Sequence, residues 1–436
     1  MKLAIVVQRY GADINGGSEL HARYVAEHLA AHADVRVLTT CARDYLTWRN
    51  DLLPGTETVN GVVVERFPVA KEREELDFGT RSTHVFTRPH SLRDELEWLD
   101  SEGPASPALL HRVTAMPGEF DYVVIFSARY YHAYHAARAL PDRAVLMPTA
   151  ERDPALGLGL FGPIFRGVRA IMYNSHEERA LINAVSRNEH VPGVIVGIGS
   201  EIPDVVSPAR AAQKFGLGDP YVIYVGRIDA NKGCAELFDF FTRYADWSRQ
   251  PLNLVLIGKG VLDIPVHPRI RHLGFVDDED KFDAIAGATA LIMPSYYESL
   301  SMVALEAWAL GTPVVANARC DVLLGQCLRS NAGLYYSNDE VFAGVLTTLL
   351  DDRALAAELG RNGREYFQRN YSWPVIERKY LEMFAQLSSI PPTHRMERLP
   401  RWLSQRQRSL RPAAAVVDSL PSGPVVDGPA SRGALA

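Results

Sequence analysis

Cysteine is scarce in these 436 residues: Cys41, Cys234, Cys320 and Cys327 are the whole complement. Four scattered thiols lay out no disulfide framework, and their spacings, with no His near Cys320 or Cys327, match no zinc pattern. They read as free thiols of a reducing compartment. Long hydrophobic runs are missing as well. The N-terminus holds one Lys and the five apolar residues Leu3 to Val7 before Gln8-Arg9. That is too short for a signal peptide, and no later run reaches the length of a bilayer span. A cytoplasmic protein is expected. An excess of positive charge is absent too: 46 basic against 52 acidic residues leave −6, which argues against a nucleic-acid partner. No Gly-x4-Gly-Lys-Ser/Thr loop occurs, and no Gly-x-Gly-x-x-Gly follows the first strand. A Walker-type phosphate loop is therefore missing, and a dehydrogenase is disfavoured. No cluster of aspartates suited to a divalent ion is visible, so neither a metal nor another cofactor is expected.

Hydrophobic residues at 47% and charged ones at 22% describe a globular chain long enough for two domains. Short apolar runs alternate with helical patterns, the signature of parallel α/β architecture. Strands are expected over Leu3–Val7, Val35–Thr39, Val62–Phe67, Tyr122–Phe126, Ala144–Pro148 and Arg169–Tyr173. A second set follows over Tyr221–Val225, Leu252–Ile257, Arg271–Phe275, Ala290–Met293 and Pro313–Ala316. The first helix should span Glu19–Ala31, with Leu20, Tyr24, Val25 and Leu29 on one face and Ser18 as its cap. Two doubly wound domains result, residues 1–200 and 201–371, with the break near Gly199–Gly218, where Pro203, Pro208, Gly216 and Gly218 interrupt the pattern. Residues 68–118 read as a helix-and-loop insertion. An amphipathic pattern at Trp373, Val375, Ile376, Tyr380, Phe384 and Leu387 suggests a last helix over 372–388 that returns to the first domain. Residues 391–436 carry seven Arg, no Lys and three acids, a net of +4, and read as a disordered basic tail. Its stretch from Arg395 to Arg411, with Trp402 and Leu403, suits peripheral contact with an anionic membrane surface. A solvated tail without function is an equal reading.

Two acids stand out against their surroundings. Glu298 and Glu306 lie in Pro294-Ser-Tyr-Tyr-Glu-Ser-Leu-Ser-Met-Val-Ala-Leu-Glu306, which continues Ala-Trp-Ala-Leu-Gly311. A helix this apolar should be buried, and a buried carboxylate needs donors from the protein or from a hydroxyl-rich ligand. Glu298 falls in a loop after a buried strand, at the sheet edge where α/β proteins bind ligands. A satisfied structural acid at a helix N-terminus is the plainer alternative. Upstream, Tyr221-Val-Ile-Tyr-Val-Gly-Arg-Ile-Asp-Ala-Asn-Lys-Gly233 places Arg227 and Lys232 on one strand-to-helix loop, a site for phosphate groups. Gly226 and Gly258, the latter in Leu256-Ile-Gly-Lys-Gly260, end strands and let the backbone approach a ligand. Gly16-Gly17 does the same before the first helix. Tyr130-Tyr131 suit either stacking on a sugar or core packing. His132 and His135 read as structural.

These segments together resemble the donor domain of retaining glycosyltransferase family 4. The resemblance rests on Gly-Arg-x4-Lys-Gly, Gly-x-Gly, Gly274-Phe-Val-Asp-Asp-Glu, and Glu-x7-Glu followed by Ala-x-Ala-x-Gly-Thr-Pro-Val-Val. Gly16-Gly17-Ser-Glu and Tyr173-Asn-Ser-His-Glu-Glu-Arg extend it more weakly through the first half. It implies two Rossmann-like domains facing across a cleft in the GT-B arrangement and, without a metal, transfer of a hexosyl group from a nucleotide-sugar to a glycan or lipid-linked acceptor. The context implied is the synthesis of bacterial surface polysaccharide. Arg227 and Lys232 would bind the diphosphate, Glu306 the ribose, and Glu298 the sugar. The backbone N–H groups of Leu300, Ser301, Met302 and Val303 would lie near sugar and phosphate. This chain departs from the family pattern at Ser299 and Ser301, where glycines are frequent. It departs again in Pro148-Thr-Ala-Glu-Arg-Asp-Pro154, where Glu151 occupies the place of a His that contacts the transferred sugar. Glu151 keeps open an alternative, a protein that binds nucleotide-sugars with little turnover. A sugar-nucleotide epimerase is disfavoured by the intact donor motif.

Overall fold

The computed structural model describes residues 1–14, 16–115, 118–392, 395–399 and 413–420; the greater part of Arg395–Arg411, including Trp402 and Leu403, lies outside them. The strands are β1 (Lys2–Val6), β2 (Asp34–Thr40), β3 (Gly55–Val59), β4 (Val62–Phe67), β5 (Tyr122–Phe126), β6 (Ala144–Met147), β7 (Ala170–Tyr173) and β8 (Gly193–Ile195). They continue as β9 (Tyr221–Val225), β10 (Asn253–Ile257), β11 (Ile270–Gly274), β12 (Ala290–Met293), β13 (Val314–Asn317) and β14 (Gly333–Tyr336). The first eight form one sheet in the order β3-β4-β2-β1-β5-β6-β7-β8, and the last six another in the order β11-β10-β9-β12-β13-β14. Every pairing is parallel except β3 with β4. Such sheets are covered on both faces, which is why β5, β6 and β12 are apolar and buried at every residue.

Helices cover these sheets: α1 (Gly17–Leu29), α2 (Glu75–Thr87), α3 (Leu92–Glu102), α4 (Pro107–Ala115), α5 (Tyr131–Ala139), α6 (Phe161–Gly167), α7 (His176–Ser186) and α8 (Pro208–Phe215). Then come α9 (Cys234–Trp247), α10 (Asp278–Gly287), α11 (Met302–Leu310), α12 (Asp321–Ser330), α13 (Asp339–Asp351), α14 (Arg353–Asn370) and α15 (Trp373–Ser389); a short helix α16 (Ala413–Val417) belongs to a separate unit. The segment 68–118 holds α2 to α4. Helix α1 starts earlier than its apolar pattern suggests. Its N-cap is Gly16, without a side-chain cap, and the Ser18 hydroxyl bonds to Ser127 instead. Its buried face is Glu19, His21, Ala22, Val25, Ala26 and Leu29. Helix α15 lies on the first sheet: Phe384 stacks on Tyr122 at 5.3 Å, and the Tyr380 hydroxyl meets the Met147 sulfur at 3.5 Å. The compact unit runs to Glu397, past Pro391, where the Glu397 carboxylate accepts from Arg166 at 2.9 Å.

The order of strands fixes where ligands can enter. In the first sheet the winding reverses between β1 and β5, and in the second between β9 and β12. Clefts open at the carboxyl ends of strands on either side of such a reversal. Gln8, Ser127 and Thr149 follow β1, β5 and β6; Gly226-Arg227 follow β9 and Pro294 follows β12.

Candidate functional site

The loop after β9 is held by one acid. Asp229, only 7% exposed, accepts the Lys232 backbone N–H at 2.9 Å and also pairs with the Arg227 guanidinium. Helix α9 then begins behind Gly233, whose φ of 73° is left-handed. A Cβ there would sit 2.1 Å from the Pro294 carbonyl oxygen, so only glycine lets the loop after β9 touch the loop after β12. That contact brings Lys232 Nζ to 2.8 Å from Glu298 Oε1. Burial opposes the Lys232 charge, but Glu298 and Glu151 beside it raise its pKa above the ordinary lysine value.

Arg227 reaches across to the other half of the chain. Its guanidinium donates to the Tyr45 hydroxyl at 2.6 Å and lies 5.8 Å from the centre of that ring, while Arg9 lies 5.5 Å from it. Arg227, Lys232, Gly16, Gly17 and Glu151 all line one cavity of about 580 Å³. Beneath Gly16, Arg9 is paired with Glu19 at 2.8 Å, and a Cβ on Gly16 would collide with that carboxylate. Burial pushes the Glu151 carboxyl up to about 7, with Glu298 and Asp153 acting in the same direction and Lys232 against it. Its loop is fastened from behind, where Glu178 accepts the Ala150 N–H at 2.6 Å. Burial pushes the Glu178 carboxyl up to about 8.

The structure places the remaining expected residues in different surroundings. Glu306, 7% exposed on α11, receives a hydrogen bond from Lys281 of α10 at 3.1 Å, and burial raises its pKa against the pull of that lysine. Ser301 holds a φ of 78° and caps α11 by accepting the Ala304 N–H at 3.3 Å. That cap leaves the first-turn N–H groups of Met302 and Val303 at the helix start. The Leu300 side chain is in the core. Gly226 and Gly258 do not line the cavity. Their N–H groups are spent on the Ile257 and Gly274 carbonyls, and a Cβ on Gly258 would be 2.0 Å from the Gly226 oxygen. They serve the close approach of two strand ends. His132 is buried, its Nε2 is 3.1 Å from the Phe126 carbonyl, and burial lowers its pKa to about 4; His135 is likewise lowered to about 4. Tyr130 lines the cavity and also packs edge-on against Trp48 at 5.5 Å, whereas Tyr131 packs on His135. Among the described residues no group of three or more His, Cys, Asp or Glu is placed to hold a metal, and no helix is long and apolar enough to cross a membrane.

Tyr45, Lys281 and Asp229 escaped the sequence reading. Asp229 alone carried a signal, an Asp three residues before a helix-opening Lys-Gly. The arrangement can neutralise a bound diphosphate with two cations on the loop after β9, and Glu151 lines the same cavity; Glu298 is paired with Lys232 and does not itself line it.

Residues 207–366 match the family model of the glycosyl transferases group 1. The D-inositol 3-phosphate glycosyltransferase of Corynebacterium urealyticum is 23% identical over 426 residues, which span 90% of this chain and 96% of that relative. The sucrose-phosphate synthase of Thermosynechococcus elongatus has a TM-score of 0.65 at 19% identity, covering 89% of this chain and 99% of its own. The Anabaena protein HepE, in complex with UDP and glucose, has a TM-score of 0.62 at 17% identity, with 89% and 100% covered.

Proposed function

Because this chain is a group 1 glycosyltransferase with the GT-B fold, we propose that it is a retaining, metal-independent member of family 4. It transfers a hexosyl group from a UDP- or GDP-sugar to a saccharide or lipid-linked glycan in the synthesis of a bacterial surface polysaccharide. The observation that carries this reading is the Lys232–Glu298 pair beside Arg227, at the reversal point of the second sheet. During transfer the bond from the anomeric carbon to the diphosphate breaks, and negative charge grows on the leaving oxygens. Cations fixed in place before the reaction stabilise that charge without reorganising. Glu306 is assigned the ribose hydroxyls, Glu298 the sugar hydroxyls, and the first-turn N–H groups of α11 the phosphate side. A complex of HepE with UDP and glucose makes UDP-glucose the first donor to test.

The test is release of nucleoside diphosphate from UDP- and GDP-sugars, with and without glycan acceptors and in the presence of EDTA, with the anomeric configuration of the product read by NMR. Absence of release from every donor would sink the reading. Glu151, in place of the family's His, favours one alternative, a catalytically weak nucleotide-sugar-binding protein. It would bind donors in the same panel without turning them over. Peripheral contact at the inner face of the membrane through Arg395–Arg411 belongs to the proposal as the route to a lipid-linked acceptor. It is tested by sedimentation with anionic vesicles before and after truncation behind Glu397; unchanged binding would remove the tail from the mechanism.

A further inference from the structure

The wall of the cavity contributed by the first sheet is made of small neutral polar groups whose hydrogen bonds are incomplete. Gln8 follows β1, Ser127 ends β5, Thr149 follows β6, and Ser18 stands in the first turn of α1; all four line the cavity. The Ser18 and Ser127 hydroxyls are bonded to each other. Gln8 Nε2 donates to Ser18 Oγ at 3.4 Å, and Thr149 Oγ1 donates to Ser127 Oγ at 3.2 Å. Ser127 and Thr149 hold φ of 63° and 48°, values that β-branched and most other side chains avoid unless the surroundings impose them. These three bonds use one of the two Gln8 amide protons, the Thr149 proton and one serine proton, so the second Gln8 amide proton and one serine hydroxyl proton are left over. At the other end Gln8, 2% exposed, has its Oε1 buried without a hydrogen-bond partner. A network left with neutral donors and one buried acceptor suits a ligand hydroxyl, which can accept from the one and donate to the other.

Charge along the same cavity narrows the ligand further. Arg9 is held by Glu19, and Arg129 by Glu102 and Asp153. Arg227 and Lys232, also paired, belong to the donor side. Every cation lining the cavity therefore already has an acid beside it, and Glu151 adds a further carboxyl. A phosphate on this wall would have to break the pairing of Arg9 or of Arg129; a neutral hydroxyl need not.

We propose, on the glycosyltransferase reading above, that Gln8, Ser18, Ser127 and Thr149 form the subsite for a hydroxyl group of a neutral saccharide acceptor, and that this wall disfavours phosphorylated acceptors. Saturation-transfer NMR on the full chain, with the methyl glycosides of glucose, galactose and mannose and with the corresponding hexose 6-phosphates, tests the idea. A neutral glycoside should bind the wild type better than its phosphorylated counterpart. Ser127→Gly, which keeps the left-handed backbone, and Gln8→Met should each weaken that binding by about 3- to 10-fold, the loss expected for one neutral hydrogen bond. Calorimetry on the same variants with whichever of UDP and GDP the wild type binds separates a local loss from a collapsed fold, and Ser127→Gly decides the matter if Gln8→Met does not fold. Equal or tighter binding of the 6-phosphates overturns the proposal, as does unchanged glycoside binding in Ser127→Gly, or no neutral glycoside binding at all. Failure of both UDP and GDP to bind the wild type would instead remove the donor reading, since saccharide binding is measured without them.

Discussion

Lys232 does two jobs that mutation can separate. It neutralises Glu298, which is 13% exposed, and it is assigned the leaving diphosphate. Two unit charges about 4 Å apart interact by about 4 kcal/mol at an effective dielectric of about 20. Lys232 is about one-third exposed, so solvent screening reduces the pair's contribution to about 1–2 kcal/mol. Lys232→Met should therefore lower stability by about that amount, because Glu298 is left beside Glu151 without its cation. Turnover should fall much further, by about 10²- to 10³-fold, or about 3–4 kcal/mol of transition-state stabilisation. The double variant Lys232→Met/Glu298→Gln removes the orphaned charge. Its urea midpoint should recover toward wild type while its rate of nucleoside diphosphate release stays at the level of the single variant or below. Recovery of the rate in the double variant would refute the reasoning, because it would mean that Lys232 served only to hold Glu298.

Glu306→Gln should weaken nucleotide binding by calorimetry about 10-fold with kcat little changed, since the ribose does not react; equal kcat losses in Glu306→Gln and Glu298→Gln would count against separate roles. EDTA should leave the rate unchanged, and a rate that depends fully on added magnesium or manganese would exclude the metal-free mechanism. Gly258→Ala combines a φ of 132° with the collision against the Gly226 oxygen and should lower stability by at least about 3 kcal/mol in urea melts. Burial raises the Glu151 pKa from 4.5 to about 7. The protonated form is the one the fold favours, so its contribution is complete below about pH 4.5 and is lost as pH rises through about 7. Glu151→Gln, which never ionises, should then exceed wild type by up to about 3 kcal/mol at pH 8 and match it at pH 4; parallel pH profiles for the two proteins would contradict the assignment.

Strands buried on both faces were the easiest to read. Tyr122–Phe126, Tyr221–Val225 and Ala290–Met293 were placed to the residue because each run is apolar throughout and bounded by polar or turn residues. Three of the four edge strands hid for the opposite reason; the fourth, β11, was expected over Arg271–Phe275. β3 reads Gly-Thr-Glu-Thr-Val and is exposed over most of its length, β8 has three half-buried residues, and β14 lies at the rim of the second sheet. One signal for β3 was nevertheless available. Asn60-Gly61 joins β3 to β4 with φ of 48° and 84°, the two-residue hairpin turn that Asn-Gly favours. The cap of α1 was misread because a serine next to paired glycines looks like a local cap. Its hydroxyl had a partner more than a hundred residues away, which no local rule can supply.

The same distinction runs through the site. Arg227, Lys232 and Glu298 were legible because each lies within a few residues of the end of a buried strand, and strand ends locate ligands. Contacts supplied by distant elements were not. Lys281 reaches Glu306 from a separate helix, and Tyr45 reaches Arg227 from the other half of the chain. Those partners alter the chemistry. In the ligand-free cleft Arg227 and Lys232 are matched by Asp229 and Glu298, so the donor loops carry no surplus positive charge to attract a diphosphate. Binding must exchange carboxylates for phosphate oxygens, and a negative charge on Glu151 would oppose that exchange from the facing wall. A carboxyl whose pKa is raised by burial, and raised further by an arriving anion, can meet the diphosphate in its neutral form and donate a hydrogen bond. On the proposed function Glu151 would therefore not repel the diphosphate, because burial and its acidic neighbours favour the protonated carboxyl.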